Sequence, residues 1–110
     1  MVNLLNETID FLKRYEKTLL DIEWIGNDEF TISMSDFCRL ANVEYDGGFG
    51  YQNVASDLVL VGKDFYLERV EYDGEENWEF KIIPDKPMEQ RTIQSLISKT
   101  GWETLSEINE

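Results

Sequence analysis

Histidine is absent from this chain of 110 residues, cysteine occurs once and proline twice. Without histidine, the usual neutral-pH proton shuttle and the commonest metal ligand are both missing. Ser-His-Asp and Cys-His catalysis are excluded with it, as are zinc sites built on imidazole. The single Cys38 cannot close an intrachain disulfide. It reads as a small buried thiol in a reducing, cytoplasmic setting, since Arg39 alone is weak activation for a thiolate. No apolar run approaches the roughly 18 residues of a membrane span. Met1 to Thr8 also lacks the basic stretch and apolar core of a signal peptide. Basic residues are scarce, with 10 against 23 acidic ones and a formal charge of −13. Such a chain repels phosphate backbones and anionic lipid, which excludes direct nucleic-acid and membrane-surface binding and favours basic protein partners.

What is present suffices for a core: 42% of residues are hydrophobic and 13% aromatic. Disorder is excluded on that balance. From Asn3 to about Leu20, positions Leu5, Ile9, Leu12, Tyr15 or Glu16, and Leu19 follow the spacing of an amphipathic helix, with acids early and bases late as the helix dipole prefers. Residues 21–26 and 29–33 alternate apolar and polar side chains around Gly26-Asn27-Asp28, which predicts a hairpin. Ser33 to Asp36 offers N-caps for a short helix through about Ala41. Three strands are predicted next, at Leu58 to Val61, Phe65 to Tyr72 and Trp78 to Ile82, with Pro84 and Pro87 ending the sheet. Residues 88–98 fit either helix or strand. Thr100-Gly101-Trp102-Glu103 reads as a capping box for a final helix that presents Trp102, Leu105 and Ile108 to the sheet. The expectation is one α+β domain over 1–110. A small antiparallel sheet, a three-strand meander plus an N-terminal hairpin, is packed by N-terminal, short middle and C-terminal helices.

The charge is unevenly spread. Asp21 to Glu79 holds 15 acidic residues against Arg39, Lys63 and Arg69, a net of −12. One reading of this is solubility alone. The other is a negative face that docks on a basic groove, with carboxylates standing where phosphates would lie. The candidate contacts are Glu44, Asp46, Asp57, Glu68, Glu71, Asp73, Glu75 and Glu76, with Phe49 and Tyr51 as an aromatic rim.

Other motifs are weaker. Gly47-Gly48-Phe49-Gly50 lacks the Lys-Ser or Lys-Thr of a phosphate loop, and nearby acids would repel phosphate. Asp73 to Asn77 lacks the length of a calcium loop and reads as a hairpin turn. Glu68, Glu71 and Glu79 could pair as acid and base, but among so many acids such pairs arise by chance. Because Glu68 and Arg69 are consecutive in a strand, one of them points inward and needs a partner. Trp24, Trp78 and Trp102, with Phe65, Tyr66 and Tyr72, read as core.

The block Tyr45-Asp46-Gly47-Gly48-Phe49-Gly50, then Val54 to Gly62, Phe65 to Gly74 and Trp78-Glu79-Phe80, with the closing Gly101 to Glu110, covers about a third of the chain. It resembles a family of small acidic proteins encoded by phages and integrative elements of Gram-positive bacteria. Relatives tend to carry paired tryptophans where this chain has Phe65-Tyr66 and Asn77-Trp78. The resemblance implies a mobile-element setting, in which small acidic proteins often antagonise host defence enzymes, CRISPR nucleases among them. The expectation is a non-enzymatic binding protein without cofactor or metal, a DNA mimic or inhibitor of a basic nucleic-acid-handling protein. The alternative is an accessory module, monomer or homodimer, that uses the aromatic Gly loop and an open sheet edge while charge serves solubility.

Overall fold

The structure, a computed structural model, describes residues 1–47 and 52–110. Gly48, Phe49, Gly50 and Tyr51, and with them the predicted aromatic rim, lie outside the described residues. Among the described residues the chain is α+β, with two antiparallel sheets and three α-helices.

Strand β1 (Val2–Asn3) runs directly into helix α1 (Leu4–Arg14). Asn3 caps the helix, its side chain accepting from Asn6 N–H, while Glu7 opens the first turn and Lys13 and Arg14 close the last. The helix is shorter than its apolar spacing predicts. Glu16 adopts φ 58°, Glu16 N–H donates to Lys13 C=O and Lys17 N–H to Leu12 C=O. This is the paired C-terminal bond pattern normally built on glycine. A non-glycine residue in that position is why the stop was hidden in the sequence. The buried stripe keeps Leu12 as predicted but is displaced by one position in the first two turns, to Leu4 and Thr8, with Leu5 and Ile9 half-buried.

A 3₁₀ turn (Leu19–Asp21), closed by a Thr18/Asp21 capping box, leads into β2 (Ile22–Gly26) and β3 (Thr31–Ile32). The turn between these strands is held by Asn27, whose side-chain oxygen accepts from Glu29 and Phe30 N–H. Ser33 caps helix α2 (Met34–Ala41), as its position predicts, and buries Phe37 and Ala41. Strand β4 (Glu44–Tyr45) pairs with β1 in a two-stranded ribbon. Strands β5 (Val59–Gly62), β6 (Phe65–Tyr72) and β7 (Glu75–Ile82) complete a five-stranded sheet in the order β3-β2-β5-β6-β7. Gly62 permits close approach, since a Cβ there would sit 2.2 Å from the Phe65 ring. The β6–β7 hairpin is tighter than predicted. Asp73 and Gly74 take φ 53° and 85°, the two positive values that a two-residue turn matching the sheet's twist requires.

Register sorts the sheet into two faces. Ile25, Leu60, Leu67 and Phe80 form one row across the inner face. Leu12, Leu60 and Leu67 are fully buried, each contributing roughly 2–3 kcal/mol of burial. Helix α1 is fastened to this face through Thr8, whose hydroxyl donates to Leu4 C=O and accepts from Trp78 Nε1–H at 2.9 Å. Tyr15 stacks on Phe80 at 4.0 Å.

Beyond Ile83 the chain leaves the body. Residues 88–98 form neither helix nor strand, and α3 (Leu105–Ile108) is a single turn capped by Thr104 rather than Thr100. It does not dock as predicted. Trp102 is 93% exposed, and α3 buries no residue. The radius of gyration is 18.5 Å, against about 13 Å for a compact chain of this size. Glu103 organises the local turn instead of capping a helix. Its carboxylate accepts from Lys99 and Thr100 N–H, and these bonds hold its pKa below the usual carboxylate range.

Candidate functional site

Antiparallel pairing decides which acids meet. Strand β2 ends, β5 begins, β6 ends and β7 begins at the same end of the sheet, because Gly26 opposes Val59, Val59 opposes Glu68, and Tyr72 opposes Glu75. Asp28, Glu29, Asp57, Glu71, Asp73 and Glu75 therefore collect there, all exposed. Four strands spaced by about 4.8 Å make this end roughly 14 Å wide, and the β6–β7 hairpin projects four residues, roughly 13 Å, beyond the pairing of Val59 with Glu68. Asp57 is anchored by the Asn27 side-chain amide at 3.0 Å, and Glu71 accepts from Gly74 N–H at 2.8 Å. Lys63 lies at the opposite end, beyond Gly62, and Arg39 pairs with Asp36 on α2. Arg69, though near in sequence, is turned away from the surface.

That inward turn creates a second feature, a buried ion network beneath the acidic end. Alternation along β6 directs Arg69 into the core, where it is 5% exposed. Its guanidinium meets Glu76 at 2.9 Å, Glu7 at 3.3 Å and the Tyr45 hydroxyl at 3.0 Å. The Tyr45 hydroxyl in turn donates to Glu7. Glu76 also accepts from the backbone N–H of Asn53 and Val54, so one carboxylate joins the hairpin to the returning chain. Burial opposes the charge on Arg69, but hydrogen bonds to Glu76 and Tyr45 and the attraction of Glu7 outweigh it and raise its pKa. The Tyr45 phenol is pushed up to about 12, first by burial and then by its bond to Glu7. Arg69 also lies 4.6 Å from the centre of the Trp78 ring. Among the described residues, its Nε has no hydrogen-bond acceptor.

The expected inward charge is thus Arg69. Glu76 is the corresponding correction: it is buried against Arg69 and is withdrawn from the proposed contact surface. Two residues that sequence reasoning did not single out, Glu7 and Tyr45, complete the network. Only the odd parity of an arginine in an otherwise apolar inner row pointed toward them. Of the remaining candidates, Glu44 and Asp46 are exposed on either side of Tyr45, and the Gly47 carbonyl accepts from Glu76 N–H, placing Asp46 beside the start of β7. Glu68 lies on the outer face opposite Glu79, and Lys81 is 3.9 Å from the first and 3.1 Å from the second. Glu71 lies on the opposite face of β6 from Glu68, as their odd spacing requires, so the three carboxylates do not converge.

The aromatic expectations divide. Phe65 and Trp78 are core, whereas Trp24, Tyr72 and Trp102 are exposed. An open groove of about 970 Å³ lies in the C-terminal segment, lined by Pro87, Arg91, Ile93, Ser95, Leu105 and Asn109, apart from the acidic end. Among the described residues, no group of three or more Cys, Asp or Glu side chains is placed to hold a metal ion, and no helix is long and apolar enough to cross a membrane. No family model, curated protein or solved structure matches this chain.

Proposed function

We propose that this is a non-enzymatic binding protein whose acidic sheet end docks on a basic surface of a nucleic-acid-handling protein. One observation carries the reading: strand register gathers Asp28, Glu29, Asp57, Glu71, Asp73 and Glu75 at one end of the sheet while the nearest arginine is buried beneath them. A charge distribution serving solubility alone has no need to segregate cations in this way. Carboxylates gathered at one end of the sheet present a concentration of negative charge, which a groove built for phosphates accepts in place of its nucleic acid. The mobile-element setting implied by the central block makes host defence enzymes, CRISPR nucleases among them, the first class of partner to test.

The test is affinity capture from a Gram-positive host extract on the immobilised chain, at low and high salt, beside an Asp57→Lys/Asp73→Lys/Glu75→Lys variant. The expected result is capture of nucleic-acid-binding proteins that are released by salt and lost with the variant. Capture that survives both treatments would overturn the acidic docking face. It would favour the accessory-module reading, in which Phe49→Ala and Tyr51→Ala abolish binding.

A further inference from the structure

Strand β7 is a long sheet edge whose outer hydrogen-bonding groups are assigned by parity. Ile83 N–H donates across to Asp64 C=O on the β6 side, whereas Glu76 N–H donates the other way, to Gly47 C=O. Alternation then turns the N–H and C=O groups of Trp78, Phe80 and Ile82 to the outer edge. Among the described residues, none pairs with them there. Natural sheets blunt an edge of this length with proline, bulges or inward charges. Between Trp78 and Ile82 there is no proline and no inward charge, since the inward carboxylate of β7, Glu76, precedes the open stretch, and β6 pairs with β7 at every position without a register shift.

We propose that this edge pairs antiparallel with the same edge of a second copy of the chain, about a two-fold axis through Phe80. The sequence selects this register over its neighbours. Centred on Phe80, Trp78 faces Ile82 of the second copy, and all three open residues exchange hydrogen bonds. On the outer face, Glu79 of each copy then lies opposite Lys81 of the other, giving two unlike pairs. Centring on Glu79 or Lys81 instead sets that charge against itself. Centring on Trp78 requires Glu76 N–H, which Gly47 already occupies. Centring on Ile82 places Phe80 opposite Pro84, which has no N–H to give. Ile82, 71% exposed in the single chain, is covered by the second copy in the chosen register. A self-complementary patch of this kind is what a two-fold interface demands.

The interface is distinct from the acidic end, so the two proposals stand or fall separately. Sedimentation equilibrium on the full chain should show a dimer. Lys81→Glu should weaken it by about tenfold, since two attractive cross-strand pairs become repulsive. Adding Glu79→Lys to Lys81→Glu should restore the original affinity. Ile82→Asp, at a position exposed in the single chain, should weaken the dimer while leaving the far-ultraviolet circular dichroism unchanged. Asp73→Lys should leave the dimer affinity as it is. A chain that stays monomeric at all concentrations would overturn the proposal, as would a Lys81→Glu dimer of unchanged affinity or a double variant without recovery.

Discussion

Arg69 is the residue on which the hairpin, α1 and the β4 ribbon converge. Its replacement by Leu strands Glu76 and partly buried Glu7 without their cation, a change that costs about 3–5 kcal/mol where a buried pair is broken. Since small domains are stable by only about 5–15 kcal/mol, Arg69→Leu should bring the chain close to unfolding, as a urea titration would show. Tyr45 makes the same network sensitive to alkali. Its folded-state pKa of about 12 exceeds the ordinary phenol value of 10.0, so its contribution is complete below the lower value and fades as pH climbs through the higher. Tyr45→Phe should flatten stability against pH across that window, measured by denaturation at stepped pH. An inward charge in β6 was legible from the Glu68-Arg69 dipeptide. Its partners were not, because Glu7 and Tyr45 reach it from elements 62 and 24 residues away.

Elements were legible where one local signal dominated. Ser33 marks α2, aromatic and β-branched residues mark β6, alternation marks β7, and Asp73-Gly74 marks the hairpin. They were illegible where a residue acts against its type. Glu16 ends α1 in a left-handed conformation that favours glycine. Glu16→Gly should therefore stabilise the chain by up to about 1 kcal/mol, read as a higher urea midpoint with an unchanged slope. The misplaced final helix has a similar cause. Ser98 and Glu103 side chains bind the backbone of residues 99–103 and offer the chain a turn in competition with a helix. The apolar spacing of Trp102, Leu105 and Ile108 was real, but spacing shows that a stripe exists and not that anything covers it.

For the whole molecule, charge and shape matter together. A net of −13 on so small a chain repels itself, and the repulsion concentrates where the register packs six exposed acids. Salt near 0.3 M shortens the screening length to well under 10 Å, so the thermal midpoint should rise as salt is added, which calorimetry would record. Self-repulsion and the docking proposed for the acidic end thus have one origin, the same clustered carboxylates. The three tryptophans follow the same division of the molecule, with Trp78 sealed at 2% exposure, Trp24 at 39% on the sheet's outer face and Trp102 at 93% on the projecting segment. Their fluorescence is consequently a built-in depth gauge. A quencher in solution should reach Trp102 first, Trp24 next and Trp78 only on unfolding, so a bound partner would reveal which surface it covers by the indole it shields.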